Sequence, residues 1–183
     1  MKISITLKGT RPLMFDRYPG DNNTQLRPEE KFYKTADGKL FIPAINLYSL
    51  LVAENSKSAC KQYCGKSWRT VSHCIASGTN IEPFEIPIMD CDKQITFKKF
   101  NDKIYVHKCV ARVKKGPLSI PSPKERPTIN PPWNISFVME IIESKDLSYT
   151  TLRNIFEYAG SMGLGTFRPF FGRFEVVKFD EIE

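Results

Sequence analysis

The sequence predicts an α+β fold, because stretches with the two-residue period of half-buried strands alternate with stretches at helical spacing. Their order is strand, helix, strand, strand, helix, strand, the split βαβ (βαββαβ) arrangement of the ferredoxin-like class. Glycines crowded after the second helix add a glycine-rich loop before the last strand.

The first strand is Lys2 to Leu7, where Ile3, Ile5 and Leu7 alternate with Ser4, Thr6 and Lys8. Pro, Gly, Asn and Asp between Tyr18 and Glu30 predict a long loop, of a length that in compact domains is functional or disordered. Asp37-Gly38 predicts a tight turn ahead of Leu40-Phe41-Ile42. Pro43 then opens a helix on which Ile45, Leu47, Leu50, Leu51 and Val52 crowd one side, ending near Asn55 to Ala59. Cys60 to Ser77 reads as basic and irregular, and Ile81 to Ile88, with Pro83 and Pro87, as at most an edge strand. Lys103 to Val113 and Trp133 to Ile142 both alternate strongly. The proline-rich connection Lys114 to Pro132 is too long for a turn, so the two strands read as a hairpin-like arm reaching away from the core. Asp146 or Ser148 caps a helix through Leu152, Ile155, Phe156 and Ala159, and Phe171 to Phe179 closes the fold as a strand. A single domain over residues 1–183 is expected, with insertions at about 14–36, 57–80 and 103–142.

At 183 residues the chain can bury a core without metal or disulfide staples. Its 27 Lys and Arg against 20 Asp and Glu give a net charge of +7, which favours a polyanionic partner. Ten of those cations fall between Lys93 and Arg126 against Asp102 and Glu125 alone, while the balance after Met139 is acidic. Such polarity fits one binding surface and one solvated surface, or a merely solvated strand face. No apolar run approaches the roughly 18 residues of a membrane span, and Met1 to Leu13 lacks the pattern of a signal peptide. A cytoplasmic protein without membrane contact is therefore expected, and five irregularly spaced cysteines predict reduced thiols.

Between Ala159 and Phe174, Gly160, Gly163, Gly165 and Gly172 interleave with Arg168, Arg173 and four phenylalanines. Glycines there either let backbone amides, with the two arginines, hold a phosphate, or cap the helix and turn the chain back to the sheet.

This glycine segment resembles the glycine-rich loop that ends proteins of the RAMP superfamily, the repeat-associated proteins that build CRISPR effector complexes. The run Asp37-Gly38-Lys39-Leu40-Phe41-Ile42-Pro43-Ala44-Ile45-Asn46-Leu47-Tyr48-Ser49 resembles the strand-to-helix junction of their backbone subunits. With Arg126-Pro127 and Trp133, the pattern is also similar to small stand-alone phage and prophage proteins of RAMP type. The resemblance covers both ends of the chain well and the middle poorly. It implies a modified RRM-like ferredoxin fold whose sheet and glycine loop face RNA, with residues 103–142 as a β-hairpin thumb. Its implied partners are RNA, further copies assembling head to tail, or CRISPR effector subunits. Ala44 stands where the family often has Gly, and Ile45-Asn46 where it often has Ser-Ser, leaving Asn46 and Ser49 as donors at the helix start.

The expected function is thus non-catalytic binding of RNA or another single strand through its backbone. The residues expected to carry it are Arg17, Asn46, Ser49, Lys66, Arg69, Lys108, Arg112, Lys114, Lys115, Lys124, Arg126, Gly163, Gly165, Arg168 and Arg173. Trp68, between Lys66 and Arg69, is placed to stack on a base, whereas Trp133 follows two prolines at a strand start and reads as core. Asp16 and Asp21 occupy the loop where some RAMP subunits carry a cleaving aspartate, although loop aspartates ordinarily make turns. His107 and His73 could act as acid or base but have no evident partner in sequence. Cys60-x3-Cys64 with His73-Cys74 offers zinc-type ligands at a spacing that matches no compact knuckle, so neither metal nor cofactor is expected. Two rivals stay open: a RAMP-type endoribonuclease, and a phage-borne mimic that joins or inhibits a CRISPR effector complex.

Overall fold

The computed structural model describes residues 1–21, 23–52 and 58–183, apart from the side chains of Val113, Lys114 and Lys115. The predicted end of the first helix falls partly outside those residues. The chain opens with β1 (Lys2–Gly9), which buries Ile3, Ile5 and Leu7 completely, and a short β2 (Leu13–Met14) follows. After a long loop, β3 (Phe41–Pro43) runs directly into α1 (Ala44–Val52), whose buried side is Ala44, Leu47, Leu50 and Leu51.

The stretch that reads as irregular is helical. It forms α2 (Ala59–Tyr63), whose N-terminus is capped by the Ser58 hydroxyl accepting from the Lys61 amide at 3.3 Å, and α3 (Trp68–Gly78). Its buried positions include Ser58, Ala59, Cys60 and Ser72, residues too small or too polar to register as an apolar face in the sequence.

Four short strands come next, β4 (Thr79–Glu82), β5 (Glu85–Pro87), β6 (Met89–Asp90) and β7 (Lys93–Gln94). The long β8 (Ile104–Lys115) and β9 (Leu118–Ile129) then form a hairpin around Gly116-Pro117. The chain closes with β10 (Asn134–Ile141), α4 (Tyr149–Met162) and β11 (Phe174–Glu181). Of the two cap residues predicted for α4, Ser148 holds the place and accepts from the Thr151 amide at 3.2 Å.

The architecture is mixed α+β with antiparallel sheets. In the main sheet β11, β1 and β10 lie side by side, and the far edge of β10 takes β4 along one half and β6, then β7, at the other. One face of this sheet presents Ile3, Ile5, Leu7, Ile135, Phe137 and Met139 to the helices, with the Phe137 and Phe156 rings 6.1 Å apart. The other face is polar: the Thr6 and Ser136 hydroxyls share a hydrogen bond of 2.9 Å, and Lys2 meets Glu140 at 3.4 Å.

Alternation alone makes Lys103 to Val113 a partner of Trp133 to Ile142, and here the structure differs. β8 pairs with β9 along its whole length, from Ile104↔Ile129 to Lys115↔Leu118, and the strand beside β10 is the inconspicuous β4. Pro121, Pro123 and Pro127 conceal β9 in the sequence, yet all three fall at alternate positions of one strand edge. The Phe15 amide donates to the Pro127 carbonyl at 3.0 Å, so residues of that parity turn their backbone polar groups away from β8. The missing proline N–H groups therefore remove no rung between β8 and β9.

Candidate nucleic-acid interface

Where β2, α1 and the glycine loop meet, they enclose a cleft of about 240 Å³ bordered by Asp16, Tyr33, Asn46, Ser49, Thr166 and Arg168. Asn46 and Ser49 reach it from the opening turns of α1, where Leu50 also lines it, while Leu47 and Leu51 turn into the core. The two sequence motifs, about 120 residues apart, thus converge on one cleft.

The glycine loop owes its shape to internal bonds. Gly165 has φ 80°, and a Cβ there would overlap the Met14 carbonyl oxygen, while the Thr166 amide donates to that same oxygen at 3.1 Å. Gly172 has φ 73° and would overlap the Leu164 carbonyl; its amide donates to Pro12 at 2.7 Å and its carbonyl accepts from Leu164 at 2.9 Å. Gly163 ends α4 with its amide on the Ala159 carbonyl at 3.0 Å. The amides of Gly163, Leu164, Thr166 and Gly172 thus bond within the protein and hold the loop in place.

Arg168 is the strongest candidate among the side chains that border the cleft. It is half-buried, burial pushes its pKa down, and among the described residues no carboxylate or carbonyl receives its guanidinium. A guanidinium that has lost water without gaining a partner is stabilised by an anion arriving from outside.

Asp16 borders the same cleft, but its carboxylate is engaged. Oδ2 accepts from Arg126 Nε at 2.8 Å, and Oδ1 lies 3.5 Å from Lys31 Nζ. Arg126, with a side chain 10% exposed, also donates to Cys109 Sγ at 3.2 Å and lies 5.4 Å over the Phe167 ring. Lys31 donates to the Glu125 carbonyl at 2.8 Å. This knot ties the first loop, the hairpin base and the glycine loop together. Asp21 instead holds a turn: the Asn23 amide, the Thr24 amide and the Thr24 hydroxyl all donate to it, and those donors, the Thr24 hydroxyl foremost, keep its carboxyl below the usual range. His107 packs edge-on against Phe171, ring centroids 5.0 Å apart. Asp21 thus sits apart, whereas His107 is the cross-strand neighbour of Arg126, the partner of Asp16.

The hairpin divides its cations between faces. Lys108, opposite Glu125, and Arg112, opposite Pro121, share one face, whereas Lys124, opposite Cys109, shares the other with His107 and Arg126. Lys108 and Glu125 form an exposed ion pair at 3.2 Å. The side chains of Lys114 and Lys115 lie outside the described residues. Arg17 donates to the Glu30 carbonyl at 3.2 Å and Arg173 to the Pro169 carbonyl at 2.9 Å, so each clasps its own loop. Lys66 and Arg69 lie apart, beside Trp68 at the start of α3. Trp133 is fully buried and its indole N–H donates to the Arg11 carbonyl at 2.8 Å.

Cys60 and Cys64 stand one turn apart, but burial pushes the Cys60 thiol up to about 12 and raises Cys64 as well, against the thiolate form that zinc requires. Cys74 receives the Ser144 hydroxyl at 3.3 Å. Among the described residues, no three of His, Cys, Asp and Glu are grouped to hold a metal. Sequence reasoning missed Tyr33, Thr166 and the partnership of Lys31 with Asp16 and Arg126. Asp16 and Arg126 are 110 residues apart, and no local pattern joins them.

No family model matches the sequence, and no curated protein matches it. Among solved structures, the fold is similar to that of a chain in the cryo-EM structure of the Type III-B Cmr-beta bound to cognate target RNA, with a TM-score of 0.58 at 12% identity. The similarity covers 100% of this chain and 60% of that one, so this chain spans less than two thirds of the length of the chain it matches. At such identity the likeness is one of fold.

Proposed function

We propose that residues 1–183 form a single RAMP-like domain that binds RNA through its backbone without cleaving it, as a relative of CRISPR backbone subunits. The strand order β11-β1-β10-β4 supports a ferredoxin-like core, with α1 to α3 as the first helical connection and the β8–β9 hairpin inserted between the second and third core strands as the thumb. The likeness to a chain of an RNA-bound assembly supports the class of partner. The observation that carries the reading is Arg168, half-buried and without a partner among the described residues, in a cleft where Asn46 and Ser49 of the other motif also converge.

Replacement of Arg168 by Ala is expected to weaken single-stranded RNA binding about tenfold or more, since a charged hydrogen bond in a desolvated site contributes ~1.5–3 kcal/mol. Fluorescence anisotropy with labelled RNA and its DNA counterpart, at low and moderate salt, measures it. Absence of binding to either at low ionic strength would sink the proposal. Labelled RNA incubated with the protein, with and without chelator, should stay intact; cleavage would reinstate the nuclease reading. No helix among the described residues is long and apolar enough to cross a membrane; a cytoplasmic setting is part of the proposal. Head-to-tail copies or effector subunits are the proposed protein partners, and co-purification with and without RNA distinguishes them.

A further inference from the structure

We propose that the strand held at the α1 cleft continues over the exposed side of α1 onto a second contact surface on the helical layer, where an unpaired base stacks on Trp68 and phosphates meet Lys61, Lys66 and Arg69. This extension rests on the RNA-binding reading of the first cleft.

The chemistry of the surface favours a polyanion. From Ser58 to Gly78 the chain carries Lys61, Lys66, Arg69 and His73 and not one carboxylate. Among the described residues none of those cations forms an ion pair, although elsewhere in the protein Lys2, Arg27, Lys31, Lys39, Lys103 and Lys108 all do. Their company is aromatic instead. Lys61 Nζ lies 4.9 Å from the centroid of the Trp68 ring and Arg69 Cζ 5.6 Å from it, and with Tyr48 and His73 they border a groove of about 700 Å³.

Core packing does not account for Trp68. The core indole of this protein is Trp133, fully buried with its N–H bonded, whereas Trp68 is half-buried and, among the described residues, its N–H meets no acceptor. A ring flanked by cations that can swing away is what a stacked base with its phosphates needs.

The two sites are joined by α1 itself. Asn46 and Ser49 border the first cleft, and Tyr48 and Val52 border the groove. At about 100° per residue, Ile45 falls between Ser49 and Tyr48 on the helix surface, and it is 52% exposed. One open strip of helix therefore links the sites over roughly a helix diameter, about 10–12 Å.

The test compares single-stranded RNA of about 6 and about 15 nucleotides, read by anisotropy and by intrinsic fluorescence, with buried Trp133 as a constant background. The longer strand should bind about tenfold more tightly and quench Trp68. Trp68→Phe should remove the quench. Lys66→Glu with Arg69→Glu, both changes on exposed side chains, should cancel the length advantage and, at ~0.3 M salt where distant charges are screened, leave the short strand's affinity unchanged. Equal affinity at both lengths, or a length advantage that survives both variants, overturns the second site and leaves the first standing. If neither strand binds at low salt, the RNA reading falls and this surface with it. Quenching of Trp68 by polyglutamate as strong as by RNA would overturn it too, and assign the groove to an acidic protein.

Discussion

The glycine-loop cleft and the β8–β9 hairpin are both cationic, yet they hold their charges in opposite ways. In the cleft, Arg168 is half-buried, without an ion pair among the described residues, and carried by a loop that is bonded to Pro12 and Met14. On the hairpin, Lys108 is 79% exposed and already faces Glu125, and among the described residues the ribbon beyond its base has no strand partner but itself. A desolvated cation on a fixed backbone selects geometry. Exposed cations on a ribbon attract any polyanion, in proportion to how little salt is present. The cleft is the candidate for recognition and the hairpin for capture.

The contrast is broken most forcefully at Gly172. An Ala there must adopt φ 73° and overlap the Leu164 carbonyl, so Gly172→Ala is expected to cost ~3 kcal/mol or more, combining left-handed strain with overpacking. Urea denaturation should show the fall in midpoint, and RNA binding should drop even in the folded fraction because Arg168 loses its mount. An unchanged midpoint would mean that the loop is not held as described.

Asp16 comes next, since it joins the two regions. Removing its carboxylate leaves Arg126, 10% exposed, without its anion, and Asp16→Ala should cost ~2 kcal/mol. Asp16→Asn, which keeps an acceptor for Arg126 Nε, should cost about half as much. Equal losses in thermal stability for the two variants would show that charge, rather than the hydrogen bond, ties the hairpin to the loop.

How much of this was legible in the sequence differs between the same two regions. The cleft's contributors, Asn46, Ser49, Gly165 and Arg168, sit in contiguous motifs whose residue types state their purpose: glycines where the backbone must pass close, polar residues at a helix start. The hairpin was half legible. Strict alternation marks Lys103 to Val113, but its partner strand is masked by Pro121, Pro123 and Pro127, which read as loop until their shared parity is known. β4 showed only as the start of the edge stretch from Ile81 to Ile88, because four residues give alternation too little length, and α2 and α3 stayed hidden because Ser58, Ala59, Cys60 and Ser72 dilute the apolar face that Val71 and Ile75 begin. The ion knot was not legible at all, since Asp16, Lys31 and Arg126 meet only once the fold exists.

A smaller effect sharpens the comparison from the hairpin side. Lys108→Ala with Arg112→Ala removes two exposed cations from one face, and one of them is already neutralised by Glu125. RNA affinity should fall about twofold to fivefold at low salt and hardly at all at ~0.3 M, with the salt slope reduced by about one. Arg168→Ala should instead keep most of its penalty at the higher salt. If both variants lose affinity in parallel across the salt range, the distinction between capture and recognition disappears.

The smallest expected effect lies at Asp21, in the loop that faces Pro123, Lys124 and Glu125 across a cleft of about 430 Å³. The Thr24 and Asn23 donors hold its carboxyl below the usual carboxylate range in the folded protein. The sign follows from that depression: the stabilisation is complete above the unfolded pKa of about 4 and is lost as pH falls through the lower, folded value. Asp21→Asn keeps an oxygen for the same amides and does not titrate, so it should flatten this part of the acid limb of a thermal-midpoint profile and change nothing at neutral pH. Because the carboxylate is fully exposed, the difference should be slight. RNA binding by Asp21→Asn at neutral pH should match the parent, as it must if Asp21 only shapes the loop. A loss of binding there would put the nucleic acid between this loop and the hairpin, and would make the hairpin side a recognition surface as well.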